Sequence, residues 1–192
     1  MNRIGLVVNP VAGIGGRVGL KGSDGVEIQR RALELGAIPE SLHRATLSLI
    51  PLLDLRGTLE VVTFPSEMGE ASAREAGFAP KVIGEIHSGS TTAEDTRRAV
   101  IEMSALGLDL ILFAGGDGTA RDVCSAIPPQ FPCLGIPAGV KIHSAVYATN
   151  PKHAGELTAM YLQGKARLRE AEVLDLDEDA YRAGRMSTRL YG

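Results

Sequence analysis

A short glycine-rich segment in the middle of the chain contains residue types that could bind and transfer a phosphate group: Gly115, Gly116, Asp117, Gly118 and Thr119. An apolar run at residues 109–114 precedes this segment, and a helix predicted to begin near Ala120 follows it. Glycines ahead of a helix N-terminus allow phosphate oxygens to approach free backbone N–H groups. The segment is therefore a candidate phosphate-binding loop between a strand and a helix.

Each residue of this segment has a predicted role. Gly115, Gly116 and Gly118 are candidate phosphate-binding positions, and Thr119 is predicted to cap the helix or to donate a hydrogen bond to a phosphate. Asp117 is the candidate catalytic residue, because a carboxylate there can accept the proton of an attacking hydroxyl group. It could also help to hold a Mg²⁺ ion that bridges phosphates. The alternative is an ordinary Asp-Gly turn.

A second glycine-rich loop follows the first apolar run of the chain. Its candidate phosphate-binding residues are Asn9, Gly13, Gly15 and Gly16, and the nearby Arg17 could add positive charge. The loop does not match the dinucleotide-binding fingerprint, because valine stands where the third glycine is required. It does not match a Walker A loop either, because glycine rather than Ser or Thr directly follows its lysine. A flexible turn that binds nothing is the alternative.

Further candidates lie outside the two loops. Lys141 and His143 follow a predicted strand end, where a lysine could contact phosphate and a histidine could bind substrate or tune Asp117. A solvated loop is the alternative for both. The Ser/Thr-rich segment 88–92 could line the same cleft, although a loop and helix cap is favoured. Asp122 is interpreted as an acid stabilising the first turn of its helix. No Cys/His set has zinc spacing, so no dedicated set of protein metal ligands is predicted.

The elements that must position these residues alternate between strand and helix. Strands are predicted at residues 3–8, 58–64, 81–86, 109–114 and 132–136, and helices at 26–35, 40–54, 66–76, 92–106 and 151–163. Such alternation predicts a layered α/β fold with a mostly parallel sheet and flanking helices. Ligands of these folds bind at the carboxyl ends of the strands.

The C-terminal part of the sequence has a different pattern. Residues 171–176 are predicted as a strand, residues 177–184 as a short acidic helix, and residues 189–192 as an extended segment with nothing to pair with. We therefore predict a nucleotide-binding domain at residues 1–166, followed at 167–192 by a linker and the start of a truncated second domain. The hypothesis is that the chain is a piece of a longer protein.

Composition narrows the functional classes. The 192 residues are 44% hydrophobic and 22% charged, with a formal net charge of −3. This composition is typical of a soluble globular protein. The sequence has no cluster of basic residues that would predict a nucleic-acid partner. No apolar run approaches the roughly 20 residues that span a membrane. Cys124 and Cys133 are interpreted as buried reduced thiols, which fits a cytoplasmic protein.

Three segments together resemble a known kinase superfamily. The GGDGT string at 115–119 is similar to the signature shared by NAD kinases, diacylglycerol and sphingosine kinases and, more distantly, 6-phosphofructokinases. The Asn9-Pro10 loop also resembles that superfamily. Residues 134–151, together with 9–25, are similar to the ATP–NAD kinase-like branch that includes the AcoX-type proteins. The resemblance covers most of the chain.

The resemblance implies transfer of the terminal phosphate of ATP, or of polyphosphate, to the 2′-hydroxyl of the adenosine ribose of NAD, with Mg²⁺ required. It implies that Asp117 activates that hydroxyl, that NAD and ATP are the small-molecule partners, and that the chain forms a homo-oligomer. Charge and hydropathy, rather than the resemblance, predict no nucleic-acid or membrane partner. The Asn-Glu pair with which typical NAD kinases grip NAD is absent from this sequence. A lipid or other small-molecule hydroxyl as acceptor, and a nucleotide sensor without turnover, therefore stay open.

Overall fold

The computed structural model describes most of the chain, namely residues 1–14, 18, 30–32, 34–139, 142–176 and 188–191. Within the helix predicted at 26–35, residues 30–32 and 34 are helical, Leu35 is in a turn, and residues 26–29 and 33 lie outside the described residues. The helix predicted at 177–184 also lies outside them. None of the helices in the described ranges has the length and apolar character needed to cross a membrane.

Five parallel strands form the central sheet, in the order β3-β2-β1-β4-β5. Their bounds are β1 Asn2–Val8, β2 Leu59–Thr63, β3 Lys81–Val82, β4 Leu110–Gly115 and β5 Cys133–Pro137. Every pairing between neighbours is parallel. The predicted layered α/β architecture with a parallel sheet is therefore confirmed, and four of the five strands lie within a residue or so of their predicted positions.

Two layers of helices cover the two faces of the sheet. The α-helices are α1 Ser41–Leu49, α2 Glu70–Glu75, α3 Ala93–Ser104, α4 Asp117–Ala126 and α5 Pro151–Leu162. Alternate side chains of β1 point to opposite faces, as the strand period requires. Ile4, Leu6 and Val8 pack into the core shared with α1, α2 and α5. Val7 packs into the second core, with α3 and α4.

Three predicted elements are shorter or broken in the structure. The predicted strand 81–86 ends at Val82, and Gly84 then adopts a positive φ of 66° with its Cα against the Phe64 ring. The predicted helix 66–76 is a 3₁₀ turn followed by α2, divided at Gly69, whose φ is 138°. The predicted helix 40–54 is α1 followed by a 3₁₀ helix that begins next to Pro51, which has no N–H to donate.

Two predicted helix starts are confirmed by their capping contacts. Thr92 precedes α3, and both its amide and its hydroxyl donate to the Asp95 carboxylate, at 2.8 and 2.9 Å. Asn150 precedes α5 and accepts a hydrogen bond from the His153 amide at 2.9 Å, with Pro151 in the first turn. These contacts satisfy polar groups at the ends of the helices, where a helix leaves backbone donors without intrahelical partners.

A small second sheet corrects one expectation about the C-terminal segment. The sequence predicts a strand at 171–176 and, at 189–192, an extended segment with nothing to pair with. In the structure β6 (Leu174–Leu176) and β7 (Thr188–Leu190) form an antiparallel pair. The Tyr191 amide extends it by donating to the Val173 carbonyl at 2.9 Å. The terminal segment therefore pairs with residues of the same chain.

The two cysteines have the predicted locations, Cys124 in α4 and Cys133 at the start of β5. Both are free, and each is half-buried rather than fully buried. Burial raises the pKa of the Cys133 thiol to about 11, and the nearby Cys124 adds to this effect. The Cys133 thiol is therefore protonated at neutral pH, when it is a poor nucleophile.

Gly155 allows α5 to pack closely against α1. A Cβ atom at this position would overlap the Ser48 carbonyl oxygen and lie 2.9 Å from two ring atoms of Pro51. We expect Gly155→Ala to lower the free energy of unfolding by about 1–3 kcal/mol, although alanine is the better helix former. Urea unfolding measures this change. Gly57→Ala, where nothing lies within 4 Å, is the control and should change stability by no more than about 0.5 kcal/mol.

Candidate functional site

The strand order creates a crevice at the carboxyl ends of β1 and β4. The chain leaves β1 toward β2 on one side of the sheet and leaves β4 toward β5 on the other. Loops that diverge in this way leave a ligand-binding crevice between them in open α/β sheets. The loop after β5 closes one side, because Gly13, with a φ of 75°, lies directly against the Ala138 carbonyl oxygen. Three of the predicted loops therefore meet at one place.

Asn9 connects the loops after β1 and β4. Its side-chain amide nitrogen donates to the Thr119 hydroxyl at 3.0 Å, and its side-chain oxygen accepts from the Val11 amide at 3.2 Å. Its own amide donates to the Ala114 carbonyl at 3.0 Å. The structure thus gives Asn9 a role in tying the two loops together. Direct contact between Asn9 and phosphate stays a prediction.

Thr119 lies in the first turn of α4 and packs against the end of β4. It makes no helix-capping hydrogen bond, because Gly116 is the residue that precedes the helix. The Thr119 hydroxyl accepts the proton of Asn9, so its own proton is left for another acceptor. A Cβ atom on Gly115 would overlap the side chain of Thr119, a residue that is 3% exposed. Gly115 is therefore required by packing.

Asp117 is the first residue of α4, so the helix begins three residues earlier than predicted. The extended backbone of Gly116, with φ −115° and ψ −170°, starts the helix in place of the expected cap at Thr119. The Asp117 carboxylate accepts three hydrogen bonds. Its Oδ1 accepts from the Ser144 hydroxyl at 2.7 Å and the Ser144 amide at 3.1 Å, and its Oδ2 accepts from the His143 amide at 2.8 Å.

These contacts leave part of the Asp117 carboxylate open. Each carboxylate oxygen has two lone pairs. Both lone pairs of Oδ1 are occupied by Ser144, whereas Oδ2 has one partner among the described residues. Asp117 is 9% exposed, so the carboxylate is nearly enclosed. One acceptor position on Oδ2 is therefore available for a substrate proton or a metal ion.

The other sequence candidates have mixed outcomes. His143 reaches Asp117 through its backbone amide, while its side chain is exposed. Whether the imidazole contacts a ligand stays a prediction. Four candidates lie outside the described residues: Gly15, Gly16, Arg17 and Lys141. The segment 88–92 bonds to the loop after β2, since Ser88 and the Gly89 amide both donate to the Glu67 carboxylate.

Asp122 has a structural role, but not the predicted one. Because α4 begins at Asp117, Asp122 lies beyond the first turn, where the helix dipole acts on an acid. It is 8% exposed, and its Oδ1 accepts from Arg97 of α3 at 2.9 Å. This ion pair joins the two helices that cover one face of the sheet.

Tyr147 is a site residue that the sequence reasoning missed. Its hydroxyl donates to the Gly116 carbonyl at 2.6 Å, and its ring packs edge-on against Phe113 of β4 with centroids 5.3 Å apart. Burial raises the pKa of Tyr147 well above its ordinary value, and the charges of Asp117 and Asp175 add to the effect. The hydroxyl therefore stays protonated and holds the backbone immediately before Asp117.

Removing this hydroxyl tests its contribution. We expect Tyr147→Phe to lower the free energy of unfolding by about 1 kcal/mol, because the Gly116 carbonyl loses its partner in a half-buried position. Thermal unfolding measures the change. Tyr161→Phe on α5 removes the same atom away from the crevice and serves as the control. Equal stability of Tyr147→Phe and the unmodified protein would contradict the assignment.

The three glycines of the central loop differ in whether the surrounding atoms leave room for a side chain. Gly115 cannot carry a side chain without displacing Thr119. At Gly116 a Cβ atom would find only Gly139 Cα, at 3.7 Å, and at Gly118 its nearest neighbours would be Asp175 Oδ2 at 3.8 Å and an Arg121 nitrogen at 3.9 Å. These are ordinary contact distances. Packing thus explains why residue 115 is glycine, but it does not explain why residues 116 and 118 are glycine.

Metal binding in the crevice would depend on Asp117. No cluster of three or more His, Cys, Asp or Glu side chains suited to a metal ion occurs among the residues that the structure describes. Mg²⁺ in phosphate-transfer sites is held by one or two carboxylates together with substrate phosphates and water. The open acceptor position on Asp117 Oδ2 fits a Mg²⁺–nucleotide complex of that kind.

Comparisons with known proteins find solved structures of low sequence identity and one family model. A search of curated protein sequences finds no significant match. A crystal structure of a diacylglycerol kinase from Bacillus anthracis strain Sterne is 17% identical, covering 92% of this chain and 48% of that one, with a TM-score of 0.48. Another structure from that strain, provisionally assigned to the same class, is 18% identical over 92% and 46%, with a TM-score of 0.47.

The chain thus spans about half the length of the solved structures that it matches. The family model that describes the ATP–NAD kinase N-terminal domain matches residues 4–166, which include every described loop of the crevice. This match covers well over half of the chain. The chain therefore belongs to the ATP–NAD kinase family, in the part corresponding to the N-terminal domain.

Proposed function

We propose that this chain is the nucleotide-binding domain of a kinase that transfers the terminal phosphate of ATP, or of polyphosphate, to the 2′-hydroxyl of NAD and so forms NADP. The observation that carries the proposal is the Asp117 carboxylate, which begins a helix at the crevice and keeps one open acceptor position on Oδ2. The family match supports the same reaction class.

The start of α4 supplies groups that bind phosphate. We find no acceptor within the described part of the chain for the Gly118 and Thr119 amides, as is usual in the first turn of a helix. Backbone N–H groups and the helix dipole at such a position favour an anion. Gly116 and Gly118 have room for a side chain but lack one, which leaves the backbone open to close approach by phosphate oxygens. The Thr119 proton is a further donor.

Asp117 acts on the acceptor hydroxyl in this proposal. Its Oδ2 accepts the hydroxyl proton while the hydroxyl oxygen forms a bond to the terminal phosphorus. The bond between that phosphorus and the bridging oxygen breaks, and the leaving group takes the electron pair: ADP when ATP is the donor, and the shortened chain when polyphosphate is. Ser144 and the His143 amide hold the carboxylate in place throughout.

The resemblance to NAD kinases implies Mg²⁺ as a cofactor. Because Asp117 Oδ2 has one open position, it would hold either the acceptor hydroxyl or the ion. While it holds the hydroxyl, the substrate phosphates and water would hold the ion. A bound Mg²⁺ supplies neutralisation of the charge that develops on the phosphate oxygens. Several other features stay predictions: membership of the AcoX-type branch, the domain division at residue 166, assembly as a homo-oligomer and a cytoplasmic location.

A second candidate changes only the acceptor. The sequence lacks the Asn-Glu pair with which typical NAD kinases grip NAD, so the same transfer to a lipid or other small-molecule hydroxyl is the alternative. Both reactions need the crevice and Asp117. They differ in which hydroxyl compound gives a phosphorylated product.

NADP formation from NAD, ATP and Mg²⁺ tests the proposal, with polyphosphate as a second donor. The assay is run on this chain and on any longer protein that contains it. NADP formation that collapses in Asp117→Asn supports the proposal. Consumption of ATP only with another hydroxyl compound would replace NAD as the acceptor, and tight nucleotide binding without any product would instead favour a sensor.

A further inference from the structure

Ser144 makes more polar contacts around the site than a position in a loop requires. Its side chain is almost fully buried, with the residue 5% exposed. Its amide and hydroxyl both lie within hydrogen-bond distance of Asp117 Oδ1, at 3.1 and 2.7 Å. The hydroxyl also lies 2.8 Å from the Leu174 carbonyl oxygen and accepts from the Leu174 amide at 3.0 Å.

The Ser144 hydroxyl has a single proton, so it can donate to only one of its two neighbouring acceptors. A serine hydroxyl can donate one hydrogen bond and accept two. Both Asp117 Oδ1 and the Leu174 carbonyl are acceptors within reach, so only one can receive the proton at a time. Hydrogen bonds to an ionised carboxylate are the stronger kind. The proton of Ser144 therefore goes to Asp117 while that carboxylate is charged, and the Leu174 amide supplies the hydrogen bond that the serine oxygen accepts.

The segment that contacts Ser144 is itself fixed on several sides. The Glu172 carbonyl accepts from the Ala145 amide at 2.9 Å, and the Val173 carbonyl accepts from the Tyr191 amide at 2.9 Å. Asp175 forms an ion pair with Arg121 of α4 at 2.7 Å. The β6 segment is thus tied to the loop after β5, to the C-terminal strand and to the helix that begins at Asp117.

We propose that Ser144 is a positioning residue, held by residues 172–175, which fixes the Asp117 carboxylate so that Oδ2 faces the acceptor hydroxyl. The inference rests on the proposed phosphate transfer by Asp117. Ser144 occupies both lone pairs of Oδ1, so the carboxylate cannot rotate without losing two hydrogen bonds. When Oδ2 takes a proton and the carboxylate loses its charge, the Leu174 carbonyl offers the Ser144 proton a second acceptor.

Loss of the Ser144 hydroxyl should affect kcat without affecting the binding of ATP. Without the Ser144 hydroxyl, Asp117 keeps its two backbone donors but loses its shortest hydrogen bond. A misplacement of a reacting group by about 1 Å can lower a rate by about 10²-fold. We therefore expect Ser144→Ala to lower kcat by about ten- to a hundred-fold and to leave the KM for ATP within about two-fold, because the amides at the start of α4 are unchanged.

Three variants test this inference in steady-state assays of the phosphate transfer. Ser144→Ala removes the hydroxyl, and Ser144→Thr keeps it and should restore most of kcat. Ser48→Ala is the matched control, because Ser48 is fully buried in α1 and its hydroxyl donates within that helix, to the Ala45 carbonyl at 2.7 Å. Its kcat should equal that of the unmodified protein. Unchanged kcat in Ser144→Ala, or no recovery in Ser144→Thr, would overturn the inference.

A crystal structure of Ser144→Ala provides a measurement that does not depend on activity. The expected result is a rotated or split Asp117 carboxylate, compared with one conformation in the unmodified protein. An unmoved carboxylate would overturn the inference. If the unmodified protein transfers phosphate to no acceptor, the proposed function fails, and the position of Asp117 in the two crystal structures still decides the role of Ser144.

Discussion

Replacing Asp117 by asparagine is expected to lower the rate of phosphate transfer by about 10²- to 10⁴-fold, the usual contribution of a general base. Asparagine has nearly the same shape, so the crevice keeps its outline. Its side chain, however, cannot take the proton of the acceptor hydroxyl. The position on Oδ2 that is open in the unmodified protein is the one whose chemistry changes. Initial rates with saturating ATP and acceptor measure the effect on the chemical step.

The same substitution also has a predictable cost in stability. The carboxylate accepts from two backbone amides, those of His143 and Ser144, which approach different oxygen atoms. An asparagine has one oxygen and one NH₂ group, so one of these amides must face a donor. Leaving a buried donor without a partner costs about 1–3 kcal/mol. Rates must therefore be measured on protein that circular dichroism shows to be folded.

Asp122→Asn is the matched control for this prediction. Asp122 lies on the same helix, has similar burial and loses its charged interaction with Arg97 when it is neutralised. We expect it to reduce stability while the phosphate-transfer rate per folded molecule stays within about two-fold. If both variants lost activity only in proportion to their unfolded fraction, Asp117 would be a structural residue and the general-base assignment would be wrong.

The sheet could be predicted from the sequence because its strands are nearly continuous apolar runs. β1 and β4 are buried on both faces, and such runs indicate strands of a parallel sheet. The end of β3 and the break at Gly69 depend on contacts with distant residues. Gly84 lies against the Phe64 ring, and a Cβ atom on Gly69 would lie 2.7 Å from the Leu6 carbonyl oxygen. Local patterns contain no information about these contacts.

The candidate site was only partly predictable for the same reason. The two glycine loops stand out because glycine and aspartate follow strand ends, and parallel strands bring their carboxyl ends to one edge. Ser144 and Tyr147 follow β5, whose end lies at that edge, so their location was a usable signal. Their roles could not be predicted, because each contact joins residues far apart in the sequence. Tyr147 lies 31 residues from Gly116, and Ser144 lies 27 residues from Asp117.

Two single-methyl substitutions in the central loop should have opposite effects on the fold. In Gly115→Ala the new Cβ atom overlaps the Thr119 side chain, which must move and release its hydrogen bond from Asn9. We expect the free energy of unfolding to fall by about 1–3 kcal/mol. In Gly118→Ala the new atom has ordinary contacts, and alanine is preferred to glycine within a helix by about 1 kcal/mol. This variant should be at least as stable as the unmodified protein in urea unfolding.

Gly118→Ala should bind ATP more weakly than the unmodified protein, although it is expected to be at least as stable. The Cα–Cβ bond of a helical residue tilts toward the helix N-terminus, so the methyl group introduced by Gly118→Ala would stand beside the amides proposed to bind phosphate. We expect this substitution to weaken ATP binding in calorimetry by at least about ten-fold, or about 1.4 kcal/mol. A stable Gly118→Ala protein that binds ATP normally would mean that the phosphates do not approach the start of α4. The nucleotide would then have to bind elsewhere in the crevice. The packing requirement at Gly115 would not be affected.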